Sequence, residues 1–351
     1  MTARVEVAPY LALAMQTACH AVNKLGVEAA RLKISDAIGR IGRQVETIKS
    51  YVGADLRLVV LPEYVLTGFP MGESISLWRD KAALHPRGAE MDALAAVANK
   101  CDLFLCVNAY DVDENFPDLY FQSSLVLSPT GQVVMRYRRL ISMFTPSPYD
   151  VWDQYLDRYG LDGVFPVADT VIGRLGAIAS EEILYPEIAR CQAMRGAEVF
   201  LHSTGEFASP RPTAKEIARL ARASENMAYV VSANAAGLKG TDIPVQTTDG
   251  MSKLVDYRGN VIVEAALGET MAAYGEINIA ALRGARRRPG LPNVMSRQPY
   301  ALYAQAFAEC AQANQPPNTL LSEGRAIVPE RDWFRRRQME VIERLDRAGV
   351  I

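Results

Sequence analysis

A handful of short apolar runs, each ending against a polar or charged residue, constrains the fold of this chain most. Tyr10–Met15, Leu56–Leu61, Leu175–Ala179, Val199–His202 and Tyr229–Asn234 are such runs. With little or no polar alternation, they read as strands covered on both faces, which requires layers on either side of any sheet they form. Between the first two, Ile34, Ile38, Ile41, Val45, Ile48 and Val52 recur at three- and four-residue steps. That spacing is one face of an amphipathic helix. Ser35 or Asp36 is its expected cap and Gly53 its stop.

The same grammar continues down the chain. A helix is expected around Met91–Ala98, strands at Leu103–Val107, Ser123–Leu127 and Val133–Arg139, and a less regular aromatic stretch over Met143–Tyr159. Pro186-Glu187 opens a further helix, and Thr213-Ala214-Lys215-Glu216 has the capping-box pattern of another. Met251–Asp256 and Val261–Ala265 flank Tyr257-Arg258-Gly259-Asn260 as a hairpin. Strand–helix alternation mixed with hairpins fits a simple doubly wound parallel sheet poorly. Two mixed sheets packed face to face, with helices outside, accommodate it.

Composition narrows the partners. With 351 residues and a net charge of -2, the chain has no general attraction to nucleic acid or to an anionic membrane. No apolar run approaches the roughly 18 residues of a membrane span, and no basic segment followed by an apolar run opens the sequence. A cytoplasmic location is expected. Five cysteines without paired spacing and three scattered histidines point to neither a disulfide framework nor a metal site. No cofactor is expected.

Leu61-Pro62-Glu63-Tyr64 with Gly68, Tyr137-Arg138-Arg139, and Tyr185-Pro186-Glu187-Ile188-Ala189-Arg190 follow one another along the chain. In that order they resemble the nitrilase (carbon-nitrogen hydrolase) superfamily, and its aliphatic amidases in particular. Met194–Glu198, Ser224-Glu225-Asn226, Ala233–Gly237 and Gly250-Met251-Ser252 extend the likeness, which runs from about Tyr10 to about Arg283. The resemblance implies an α/β fold, a four-layer αββα sandwich of two mixed sheets with outer helices. It divides the chain into a hydrolase domain, 1–296, and a C-terminal extension, 297–351, packing on a neighbouring subunit of a homodimer or higher homo-oligomer.

The family's chemistry uses a glutamate base, a lysine at the oxyanion and a cysteine nucleophile. Glu63 matches the glutamate; Arg139 stands at the lysine position and Ser180 at the cysteine position. A serine hydroxyl is a far weaker acid than a thiol and needs an aligned base. Arginine keeps the charge but cannot exchange a proton near neutrality, and its fork favours gripping a carboxylate. The expectation is an ion pair of Arg139 with Glu63 and a site lacking the usual covalent-cysteine mechanism.

Around these three catalytic candidates, Tyr64, Glu182, His202 and Ser203 are expected to bind substrate. Asp153 and Asp157 lie near the family's second glutamate, and neither is assigned. The implied ligand is a small amide, nitrile or carboxylate. Three functions follow: a hydrolase of small linear amides using Ser180 with Glu63 as its base, a catalytically inactive homologue that binds such a ligand, or an enzyme of redirected, non-covalent chemistry with Glu63 as acid/base and Arg139 holding an anionic substrate.

Overall fold

The computed structural model describes residues 6–207, 211–248, 250–311 and 314–351. Twelve of its strands form two six-stranded sheets. The first runs Tyr274–Ile277, Tyr10–Ala14, Leu56–Val60, Phe104–Asp113, Phe116–Leu127, Val133–Arg138. The second runs Val261–Glu264, Lys253–Val255, Tyr229–Asn234, Val199–Thr204, Gly173–Ala179, Ala168–Thr170. Each holds three neighbouring parallel strands flanked by antiparallel ones, so both are mixed.

Strand pleating explains the layering, because alternate side chains point to opposite faces. Ala12, Ala14, Leu58, Val60 and Cys106 of the first sheet meet Ala177, Ala179, Val199, Leu201, Val231 and Ala233 of the second in one buried cluster. The residues between them face outward. Leu13, Val59, Leu61, Leu105 and Val107 pack under the helices Val27–Val52, Ile75–Ala82 and Ala89–Lys100. Ile178, Phe200 and Val230 pack under Pro186–Met194 and Ala214–Asn226. The result is the expected αββα sandwich.

Two expectations need correction. The first long helix begins at Val27 after Gly26, so Ser35 and Asp36 lie inside it and cap nothing. Ala30 carries the buried stripe back by a turn, and so small a residue does not stand out as apolar. Gly53 does end the helix. The stretch expected to be irregular contains a 3-10 turn, Pro148–Val151, and a helix, Trp152–Val164. That helix fully buries only Tyr155 and Val164 and is interrupted by non-helical Gly160, which leaves no regular stripe to read.

The described residues after 299 behave in two ways. Phe334 of the helix Trp333–Arg347 sits in the outer core of the first sheet, and Arg337 donates to the carbonyl of Pro316 at 2.7 Å. The helix Tyr300–Cys310 buries no residue. No described helix is long and apolar enough to cross a membrane.

Candidate functional site

Glu63 follows the strand Leu56–Val60, Ser180 follows Gly173–Ala179, and Arg139 follows Val133–Arg138. Carboxyl ends of strands from both sheets thus meet at one edge of the sandwich, the usual place for a ligand in α/β sheets. Backbone links stitch the edge together. The Glu63 amide donates to the carbonyl of Thr204 at 3.3 Å, and the Ser203 hydroxyl donates to the carbonyl of Leu61 at 2.7 Å.

Glu63 is buried and fully engaged. Its Oε1 accepts from Gln122 Nε2 at 2.8 Å and from Arg139 Nη1 at 3.2 Å, and its Oε2 accepts from the Gly205 amide at 3.0 Å. Arg139 is spent as well: Nη1 also donates to Gln122 Oε1 at 2.8 Å, Nε donates to the carbonyl of Ile141 at 2.6 Å, and Nη2 contacts Glu181. Arginine therefore bolts Glu63 to Glu181. Burial works against the guanidinium's charge, but Tyr64, Glu63, Glu181 and Glu182 around it outweigh that and hold it protonated.

Ser180 occupies the left-handed region, φ 53, at the turn from its strand into the 3-10 segment Ser180–Leu184. A non-glycine residue there is uncommon, and such strain concentrates at functional positions, where a sharp strand-to-helix turn presents a side chain. Tyr64 shares this conformation at φ 56, on the opposite sheet. Its ring lies nearly parallel to Tyr110 at 6.0 Å between centroids. Gly68 closes the same turn at φ +74, where an added Cβ would meet the Ala21 side chain at 2.8 Å.

His202 stands behind Ser180 and is completely buried. Its Nε2 lies 2.9 Å from the Ser180 carbonyl oxygen and its Nδ1 2.8 Å from Ser232 Oγ. A carbonyl can only accept, so Nε2 carries the proton and Nδ1 accepts from Ser232. Burial, with Arg219 and Lys215 adding to it, keeps the ring neutral by pushing its pKa well below the usual histidine value. The imidazole thereby helps position the Ser180 backbone.

Glu182 is likewise a clamp. Oε1 accepts from the amides of Leu140 at 2.7 Å and Ile141 at 3.1 Å, and Oε2 accepts from Tyr137 Oη at 2.8 Å and the Ala179 amide at 3.2 Å. Burial pushes this carboxyl up to about 7, against Arg139 and those donors, which favour the anion. So the structure brings Glu63, Arg139, Ser180 and Tyr64 together. Glu182, His202 and Ser203, expected to bind substrate, lie beside them with polar atoms bonded to protein groups. Asp153 and Asp157 are exposed on the helix Trp152–Val164, and the buried acid of that stretch is Asp150, bound to Ser147 and Thr319.

Sequence reasoning passed over Gln122 and Lys215. Lys215 Nζ lies 3.4 Å from Ser180 Oγ and 3.4 Å from Thr204 Oγ1. The capping box had placed this lysine in the first turn of a helix that follows the strand ending at Thr204. That position was the available signal. The box forms as read: Thr213 accepts from the Glu216 amide and Glu216 from that of Thr213. Burial lowers the lysine's pKa, with Arg219 adding to it and Glu63, Glu206 and Glu181 opposing.

Beside the site, a cavity of about 260 Å³ is lined by Glu181 and Tyr185 on one side and by Trp333, Phe334 and Arg337 of the last helix on the other. Among the described residues, no three His, Cys, Asp or Glu side chains are grouped to hold a metal ion.

Against known families, residues 19–287 match the carbon-nitrogen hydrolase family. The chain is 27% identical over 236 residues to a deaminated glutathione amidase of Yersinia enterocolitica, covering 65% of this chain and 76% of that protein. It is 24% identical over 315 residues to a formamidase of Bacillus thuringiensis, covering 87% of each. Among solved structures, a carbon-nitrogen hydrolase from Helicobacter pylori superposes with a TM-score of 0.62 at 17% identity, covering 86% of this chain and 99% of that one.

Proposed function

Since the chain belongs to the carbon-nitrogen hydrolase family, we propose that it hydrolyses the C–N bond of a small linear amide, with Ser180 as the attacking group. The observation that carries this reading is the conformation of Ser180. A strained left-handed turn holds its hydroxyl at the strand edge, beside an amine and across from Glu63 and Arg139. Relatives named as amidases, at low identity, support the substrate class.

In this reading Arg139 and Gln122 hold the Glu63 side chain in place to shape the pocket, and Tyr64 walls its apolar side. A panel of formamide, acetamide, propionamide and the matching nitriles, with ammonia release as readout, tests it. Turnover that disappears in Ser180→Ala is expected. Ligand-dependent thermal stabilisation without ammonia from any of these would favour an inactive, ligand-binding homologue.

The reading extends to assembly, with residues 297–351 serving as an extension of the hydrolase domain. Leu302, Tyr303 and Phe307 are exposed along a helix that buries nothing, a suitable face for a second copy of the chain. Sedimentation velocity of the protein with Leu302 and Phe307 both changed to Asp checks this; an unaltered sedimentation coefficient would sink it.

A further inference from the structure

We propose that Lys215 is the base that takes the proton from Ser180, an amine delivered by a helix of the second sheet to a site whose strand position 139 carries an arginine. The inference rests on Ser180 being the attacking group.

Three observations carry it. The first is reach: Nζ lies 3.4 Å from Ser180 Oγ, and active-site hydrogen bonds are often this long before substrate arrives. The second is elimination. Glu63 already accepts three hydrogen bonds, from Gln122, Arg139 and the Gly205 amide. Both His202 nitrogens are committed, to the Ser180 carbonyl and to Ser232. Arg139 stays protonated near neutral pH and cannot accept a proton, and its Nε, Nη1 and Nη2 are bonded to Ile141, Gln122 and Glu181. The third is placement. Lys215 sits in the first turn of Ala214–Asn226, the positive end of the helix dipole, which disfavours an added cation.

The charged and titratable groups facing the amine come from every neighbouring element: Glu63 after the first sheet's strand, Glu181 in the 3-10 turn, His202 and Glu206 from the strand Val199–Thr204 and its exit, and Arg219 one turn along the same helix. Burial dominates, so the amine loses its proton at lower pH than an ordinary lysine.

Water is the one co-reactant the chemistry needs. Neutral Lys215 accepts the Oγ proton as the oxygen bonds to the amide carbon and the carbonyl electron pair moves to oxygen. Collapse of that adduct breaks the C–N bond, and the lysine ammonium returns the proton to the departing nitrogen, leaving an ester on Ser180 and free ammonia or amine. Water then attacks the ester with Lys215 again taking the proton, and the acid leaves as Oγ recovers its hydrogen.

The test uses p-nitrophenyl acetate as the acylating probe, with peptide mass spectrometry locating the acetyl group and thermal melting confirming that each variant is folded. Acetylation at Ser180 is expected in the unaltered protein, with a rate that rises with pH through the lysine's lowered pKa. In Lys215→Met and Lys215→Arg the rate falls by about 10²–10⁴-fold and that limb of the profile disappears. Arginine keeps the charge but cannot accept a proton, so Lys215→Arg at the original rate would overturn the proposal in favour of a purely electrostatic lysine. A Lys215→Met rate and profile equal to the original would overturn it while leaving Ser180 as the attacking group. No acetyl group on Ser180 of the unaltered protein would remove both readings together.

Discussion

On the Glu63 side of the pocket every polar atom of the ion pair has a partner, whereas on the Ser180 side the hydroxyl meets its nearest recorded partner, an amine, at 3.4 Å. The first sheet supplies a finished network and the second an unfinished one. Physical chemistry explains the division. A buried carboxylate and guanidinium must satisfy one another or unfold the region around them, while a hydroxyl that is to attack a carbonyl must keep its lone pairs available. One side holds shape, and the other is left room to react.

Breaking the finished side has the largest expected effect. Arg139→Ala strands Glu63 and Glu181 and lowers the unfolding free energy by about 3–5 kcal/mol, read from the urea midpoint at unchanged slope. A loss below about 1 kcal/mol would mean that water already solvates the pair, and the contrast between the two sides would vanish.

Glu182 sharpens the comparison through pH. Its folded pKa of about 7 lies above the unfolded value of 4.5, so the folded protein holds that proton more tightly. The stability this contributes is fully present below the lower value and is lost as pH rises toward the upper one. Glu182→Gln costs about 1–3 kcal/mol by facing an amide to amides, and it flattens the decline between those two values. A decline just as steep in the variant would assign it to other groups.

The smallest effect concerns the unfinished side. Ser180→Ala and Ser180→Gly both remove the hydroxyl, but only glycine relaxes in the left-handed region. The glycine variant is therefore more stable than the alanine variant by about 1 kcal/mol. The reverse order in urea denaturation would mean that the turn at Ser180 stores no strain.

The fold was largely legible because buried strands leave short runs dominated by apolar residues. Tyr10–Ala14, Leu56–Val60, Gly173–Ala179 and Tyr229–Asn234 all lie within a residue or two of where those runs predict them. Legibility failed where burial rests on small or scattered residues, as with Ala30 at the start of the first helix and Tyr155 with Val164 around Gly160. At the site, Glu63, Arg139 and Ser180 were readable from motif order, and they do converge. The protein partners of Glu182, His202 and Ser203 were not legible, because a residue's neighbours in sequence do not reveal whether its polar atoms are already engaged by other groups of the protein. Lys215 escaped for a different reason. A lysine in a capping box reads as solvated, and only the tertiary fold swings that helix end over a strand edge of the same sheet.

The last helix gives the cavity of about 260 Å³ its far wall, through Trp333, Phe334 and Arg337, while Glu181 and Tyr185 form the near one. The bulk and polarity of that hollow are consequently written partly in the tail of the chain and partly in the segment that follows Ser180. Substitutions after residue 330 can widen, narrow or recharge it without disturbing a strand of either six-stranded sheet.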